Sequence, residues 1–155
     1  MATPVPAISR KILPPHWVLV CLALEGALHR WAPVTQWLVG PARLVGAAVF
    51  ALGLVPLLWA FLLFRRAKTG IVPFSDSTTL VAQGPYRFTR NPMYLGMATV
   101  LLGVALGLGS VTPLVAPVLF VTLITNLFIR PEEAHLEAAF GAPYLAFKGR
   151  IRRWL

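Results

Sequence analysis

The sequence predicts an all-α, multi-pass integral membrane protein. It has a single domain over residues 1–155, about four transmembrane helices with the last two forming a helical hairpin, and a cytoplasmic C-terminal amphipathic helix. Three observations predict this. Hydrophobic residues make up 57% of the 155 and charged residues only 12%, with a mean hydropathy of +0.74; soluble domains carry about 25% charged residues. No charged residue occurs from Pro92 to Ile129. The basic residues gather at the ends of the apolar runs rather than within them.

The first span is expected over residues 12–31, after a Pro- and Ala-rich start and the basic pair Arg10 and Lys11. A basic start followed by an apolar run would also suit a signal peptide. No small-x-small cleavage site is evident, however, and further spans follow, so a retained span is the better reading. Glu25 and His29 stand four apart on one helical face and are expected to pair near the outer interface.

Pro33 and Pro41 mark a turn, and residues 44–64 form a second span free of charge, bent by Pro56 and stopped by Arg65, Arg66 and Lys68. Thr69–Gln83 reads as a loop. The run Pro92–Ile129 would make a helix of about 57 Å, against a hydrocarbon core of about 30 Å, so it must fold back. Gly107, Gly109, Ser110 and Pro113 supply the turn, dividing the run into spans 92–108 and 111–129. Gly96, Gly103 and Gly107 put small residues on the third span, where a neighbouring helix can approach closely.

The hairpin brings Gly84–Gly96, which leads into it, and Arg130–Glu133, which leaves it, to the same membrane face. Arg10, Lys11, Arg65, Arg66, Lys68, Arg87, Arg90, Arg130, Lys148, Arg150, Arg152 and Arg153 fall on that side, against Arg30 and Arg43 on the other. Twelve against two makes the face cytoplasmic, with both termini inside. Beyond Glu133 the helix should continue to Phe140 and be capped by Gly141. Tyr144, Phe147, Ile151 and Trp154 then recur at helical spacing among basic residues, as in a helix lying on an anionic membrane surface.

The formal charge of +9 is accounted for by these membrane flanks and does not indicate nucleic acid. Cys21 is the only cysteine, and His16, His29 and His135 are scattered, so no disulfide within the chain and no metal site is expected. Phosphate loops, dinucleotide fingerprints and nucleophile elbows are absent.

The two polar clusters remain as the places for chemistry. Each has a plain structural reading. Asn91-Pro92 and Pro131-Glu132-Glu133 resemble helix starts, and Arg87 and Arg90 resemble ordinary cytoplasmic charges. Their combination points elsewhere. Adjacent acids suit a cationic or hydroxyl-rich ligand, backbone N–H groups at a helix start suit a carboxylate, and aromatic faces suit an adenine or a sulfonium. S-adenosylmethionine carries all of these groups.

Gly84-Pro85-Tyr86-Arg87 followed by Arg90-Asn91-Pro92-Met93-Tyr94-Leu95-Gly96, and Arg130-Pro131-Glu132-Glu133 followed by Leu136, Phe140-Gly141, Tyr144 and a basic tail, resemble the signature of the isoprenylcysteine carboxyl methyltransferase and phospholipid methyltransferase superfamily. The resemblance covers residues 84–153. It implies an integral membrane methyltransferase that uses S-adenosylmethionine on a lipid-like or amphiphilic acceptor (a carboxylate, amine or thiol) at the cytoplasmic face. It also implies that segments 84–96 and 130–153 build the cofactor site. Tyr86, Arg90, Asn91, Pro92, Tyr94, Leu95, Glu132, Glu133 and Tyr144 would bind cofactor, Arg90 and Glu133 would act in catalysis, and Arg87 would hold an anionic substrate group. Asn91 departs from the prenylcysteine enzymes, which usually have His there, and resembles the phosphatidylethanolamine methyltransferase side. Asn cannot act as a base. A nicotinamide-dependent membrane reductase of the sterol reductase type and a non-catalytic membrane protein stand as the alternatives.

Overall fold

The computed structural model describes residues 12–37, 39–67 and 83–155. The expected loop after Lys68, the N-terminal basic pair and Lys68 itself lie outside these residues. Helix α1 spans Pro14–Trp31, α2 Val39–Ala67, α3 Pro92–Leu108, α4 Val115–Ile124, α5 Arg130–Phe140 and α6 Ala142–Arg150. Among the described residues there is no β-strand, only one isolated bridge between Gln36 and Ser110.

Proline in the first turn fits the starts of α1, α3 and α6, at the first position in α1 and α3 and at the second in α6, because an N–H there has no intrahelical acceptor to donate to. Helix α2 begins earlier than the sequence predicts, so Pro41 sits inside its first turn rather than in the connecting turn. Pro56 lies within the same helix. Helix α3 ends at Gly109, whose φ of 79° is left-handed backbone that glycine adopts without a side-chain clash. The chain then reverses through a short 3₁₀ turn, Thr112–Leu114, into α4. The expected hairpin is therefore present, with its turn at the expected glycine. The turn is held by the α1–α2 connection, where Trp37 N–H donates to Gly109 O at 3.0 Å and Val111 N–H to Val34 O at 3.1 Å.

Among the described residues two continuous helical segments are long and apolar enough to cross a membrane, Gly40–Leu63 and Thr112–Phe140; Pro92–Leu108 is a shorter apolar helix. The second of these is not uniform. After Ile124 it widens into a π turn, Thr125–Ile129, and then tightens into α5. Pro131 explains the change, since it has no N–H for the ladder and its ring crowds the preceding turn. Pro131-Glu132-Glu133 is thus the continuation of a helix and not a new start. The helix-start reading of the acids is incorrect.

Helices α2 and α3 pack most closely. A Cβ on Gly96 would lie 2.7 Å from Gly53 O, and one on Gly53 would lie 2.7 Å from Val100 N. Gly46 meets Gly103 and Gly107 in the same way, so the close approach runs the length of the pair. The other face of α3 packs with α1 and α4 around Leu101, Phe120, Ile124, Phe128 and Ile129.

One expectation about α1 fails. His29 Nδ1 lies 2.9 Å from Ser110 Oγ at the hairpin turn and does not pair with Glu25. Glu25 is fully buried, and neither carboxyl oxygen has a hydrogen-bond partner among the described residues. A tertiary partner at a helix end has displaced the local i, i+4 one.

The C-terminal segment also differs from expectation. Tyr144 and Phe147 turn inward against Ala60 and Tyr86 rather than outward to lipid, and Trp154 packs against the main core. Helix α6 stops at Arg150, and Ile151 is extended. The recurring aromatics therefore belong to the protein interior.

Candidate active site

The site assembles where α3 begins and α5 leaves the π turn. A 3₁₀ turn, Gly84–Arg87, leads into it. Gly84 has φ of 59°, and a Cβ there would come within 2.7 Å of Leu63 Cδ1, so the turn lies close against α2. This buries Tyr86 beside Ala60, Tyr144 and Phe147. Burial pushes the Tyr86 hydroxyl well above the usual phenol range, and the nearby Glu132 charge pushes it further.

Glu133 is the centre of an ion network. Arg153 Nε donates to its Oε1 at 3.0 Å and Arg153 Nη2 to its Oε2 at 2.8 Å, a two-point fork. Arg90 Nη2 stands 3.2 Å from the same Oε1. The Glu133 side chain is 8% exposed and that of Arg90 10%. Removing one member of such a buried set leaves the others uncompensated. Hydrogen bonding to Glu133 is the main cause that raises the Arg153 pKa, so the guanidinium stays charged.

Glu132, next in the chain, has a different partner. Tyr94, one turn into α3, donates its hydroxyl to Glu132 Oε2 at 3.2 Å. The two acids therefore differ in kind. Glu133 has both oxygens taken by guanidinium donors, whereas Glu132 accepts from a phenol and keeps lone pairs for another donor. Tyr144, on α6, feels Glu133, Arg90 and Glu132 at once. Burial first, then the Glu133 charge, pushes its hydroxyl up to about 12, so it is a neutral phenol at physiological pH.

The C-terminal tail closes this arrangement. Arg90 N–H donates to Arg152 O at 2.9 Å, while Thr89 Oγ1 and Asn91 Nδ2 both donate to Arg153 O, at 3.1 and 2.9 Å. Thr89 Oγ1 also accepts from Asn91 N–H at 3.2 Å. Asn91 thus occupies the cap position of α3 without capping it, because its side chain is committed to the tail.

Of the residues expected from the sequence, Tyr86, Arg90, Tyr94, Glu132, Glu133 and Tyr144 are brought together. Asn91 stands beside them, turned to the tail. Pro92 is buried as the first residue of α3, and Leu95 is half-buried one turn on, its N–H bonded to Asn91 O. Arg87 is exposed and forms no hydrogen bond or ion pair among the described residues. His135 makes no hydrogen bond among the described residues either. The sequence reading missed Thr89 and Arg153. Arg153 sits in a run of basic residues that reads as membrane-facing charge. The one available signal was that a buried Glu133 requires a cation beyond Arg90.

Among the described residues no group of three or more His, Cys, Asp and Glu could hold a metal ion. Arg90 Nε and Nη1 are buried without a hydrogen-bond partner among the described residues, which suits an oxyanion. Free Glu132 lone pairs suit ribose hydroxyls or an ammonium, and the tyrosines offer ring faces.

Comparison with known proteins supplies the context for this geometry. A family model described as phospholipid methyltransferase matches residues 41–143. The match begins well before Gly84 and takes in all but the first two residues of α2. The chain is also 36% identical over 63 residues to an uncharacterized protein of Haemophilus influenzae, an alignment covering 41% of this chain and all of that relative. No solved structure matches.

Proposed function

The chain belongs to the phospholipid methyltransferase family, and from that premise we propose that it transfers a methyl group from S-adenosylmethionine to a lipid or other amphiphilic acceptor at the cytoplasmic face of a membrane. The observation that supports this most is the junction between α3 and α5. There two acids, two arginines and three tyrosines from segments far apart in sequence enclose buried donors that lack an acceptor. The family match also favours methyl transfer over the nicotinamide-dependent reductase reading.

In this reading the protein is a single membrane domain of four spans over 12–31, 44–64, 92–108 and 111–129, with both termini and the site cytoplasmic. S-adenosylmethionine supplies an activated methyl group on a sulfonium with its leaving group built in. The residues that would hold it are Tyr86, Arg90, Tyr94, Glu132, Glu133 and Tyr144, with Asn91, Pro92 and Leu95 forming the floor at the start of α3. Arg90 suits the amino-acid carboxylate, and the tyrosine faces suit the adenine or the sulfonium. Arg87, exposed at the rim, would meet an anionic group on the acceptor.

The chain's own contribution is position and exclusion of water. A carboxylate or thiolate acceptor needs no base. An amine must lose a proton, and Glu132 is the better placed of the two acids to take it, because Glu133 is already saturated by guanidinium donors. Arg90 and Glu133 would then act by holding the reactants.

The test is calorimetry with S-adenosylhomocysteine, the demethylated cofactor, on the purified protein in detergent. Saturable binding supports the reading. Absence of both heat and thermal stabilisation, with the protein folded, overturns it.

A further inference from the structure

The ion network at Glu133 has an imbalance. Two guanidiniums share one carboxylate, and they share it unequally. Arg153 takes both oxygens through its Nε and Nη2, at 3.0 and 2.8 Å. Arg90 keeps a single contact with Glu133, of 3.2 Å through Nη2, and its guanidinium also lies beside the Tyr144 hydroxyl. Its Nε and Nη1 are buried and have no acceptor among the described residues, on a side chain only 10% exposed.

Buried charged donors without an acceptor are costly. A simpler arrangement exists in which Glu133 forks Arg90 and leaves Arg153, the more exposed of the two arginines, to solvent. In the structure the tail instead seats Arg153 on Glu133. Thr89, Arg90 and Asn91 hold the Arg152 and Arg153 carbonyls, which fixes where the Arg153 side chain starts and brings its fork onto both Glu133 oxygens. A residue that appears in the sequence as one of several surface charges is therefore tied down at backbone and side chain alike.

We propose that Arg153 is a positioning residue of the site: by occupying both oxygens of Glu133 it keeps the Nε and Nη1 donors of Arg90 free for an oxyanion on the bound ligand. This rests on the methyl-transfer reading and deepens it. The oxyanion has two possible sources of the same chemistry, the amino-acid carboxylate of the cofactor and the phosphate of a lipid headgroup. In both cases Arg90 makes the contact and Arg153 acts through Glu133.

Loss of the fork has a definite consequence. With Arg153→Ala, Glu133 is free to turn and take the Arg90 donors, which then become unavailable to a ligand. With Arg153→Lys the positive charge stays but the planar fork is lost, so Glu133 is only partly held.

The experiment is calorimetric titration of wild type, R153A and R153K in detergent with three probes: S-adenosylhomocysteine, its decarboxylated analogue, and dihexanoyl phosphatidic acid. Wild type is expected to bind S-adenosylhomocysteine, and R153A to bind at least one oxyanion probe about tenfold or more weakly, a loss typical of a charge-assisted hydrogen bond. R153K should fall between the two. If the cofactor carboxylate is the ligand group, S-adenosylhomocysteine loses affinity in R153A while the decarboxylated analogue does not. If the headgroup phosphate is the ligand group, the loss falls on phosphatidic acid. A merely structural role for Arg153 would weaken all three probes equally, and that result overturns the proposal. So does R153A binding every probe as wild type does. Should R153A fail to fold, R153K decides, because wild-type affinity for all probes without the fork also overturns it. Wild type failing to bind S-adenosylhomocysteine at all would instead sink the methyl-transfer reading, and this inference with it.

Discussion

Asn91 Nδ2 donates to Arg153 O at 2.9 Å across 62 residues of sequence, joining the first turn of α3 to the C-terminal tail. Asn91 is thus a tether for the tail, and a hydrogen-bond donor is what its position requires. Asn91→Asp replaces that donor with an acceptor facing a carbonyl. It should lower stability by about 1–3 kcal/mol, the usual cost of an unsatisfied buried polar contact. Asn91→His keeps a donor and should lose less. Thermal unfolding of the two variants beside wild type checks the order.

Glu133 and Glu132 should respond differently to removal. Glu133→Ala leaves Arg90 buried without its counter-charge and should cost about 3–5 kcal/mol. Glu132→Ala removes one acceptor from Tyr94 and should cost about 1–2 kcal/mol. Chemical denaturation of both variants measures the gap. Equal, small losses would mean that Glu133 is not the centre of the network.

Glu25 is a different case. It is buried in α1 with both carboxyl oxygens unpartnered among the described residues, so none of those residues repays its desolvation. Glu25→Met should therefore raise stability by about 1–3 kcal/mol, read as an upward shift in Tm. A fall in Tm would show that the carboxyl has a partner outside the described residues.

The α2–α3 contact tolerates no side chain on Gly96, since a Cβ would sit 2.7 Å from a backbone oxygen of Gly53. Gly96→Val should cost about 3 kcal/mol or more, the upper end for overpacking, because backbone rather than a flexible side chain must move. Gly149→Ala, in α6 with nothing within 4 Å, should be neutral or stabilising by up to about 1 kcal/mol. Detergent melts of the pair separate close packing from a general intolerance of change.

These cases also show what was legible in the sequence. The span Pro92–Leu108 and its turn at Gly109 could be read directly, because proline at a helix start and glycine at a helix end are local requirements. The glycine contact was half-legible. Gly96, Gly103 and Gly107 marked one helix, but Gly46 and Gly53 gain meaning only when α2 is laid against α3. Pairings decided by tertiary contact were not legible. His29 has a favourable partner four residues away in Glu25, yet it bonds Ser110, 81 positions on. Pro131 before two acids matches a helix start and also matches a π turn ahead of a proline, and the local pattern does not separate them. The two motifs stood out through their resemblance to a family, and the structure brings most of their named residues together. Arg153 was not legible, because a basic tail beside a membrane looks the same whether its charges face lipid headgroups or a buried carboxylate.

Methyl transfer from S-adenosylmethionine to an amphiphile can be measured as product. The most direct measurement incubates the purified protein with methyl-labelled S-adenosylmethionine and a total membrane lipid extract, followed by mass spectrometry of the organic phase. A labelled amphiphilic product is expected from wild type and is lost with Glu133→Ala. No labelled product from folded wild-type protein, in any lipid fraction, would contradict methyl transfer to an amphiphile.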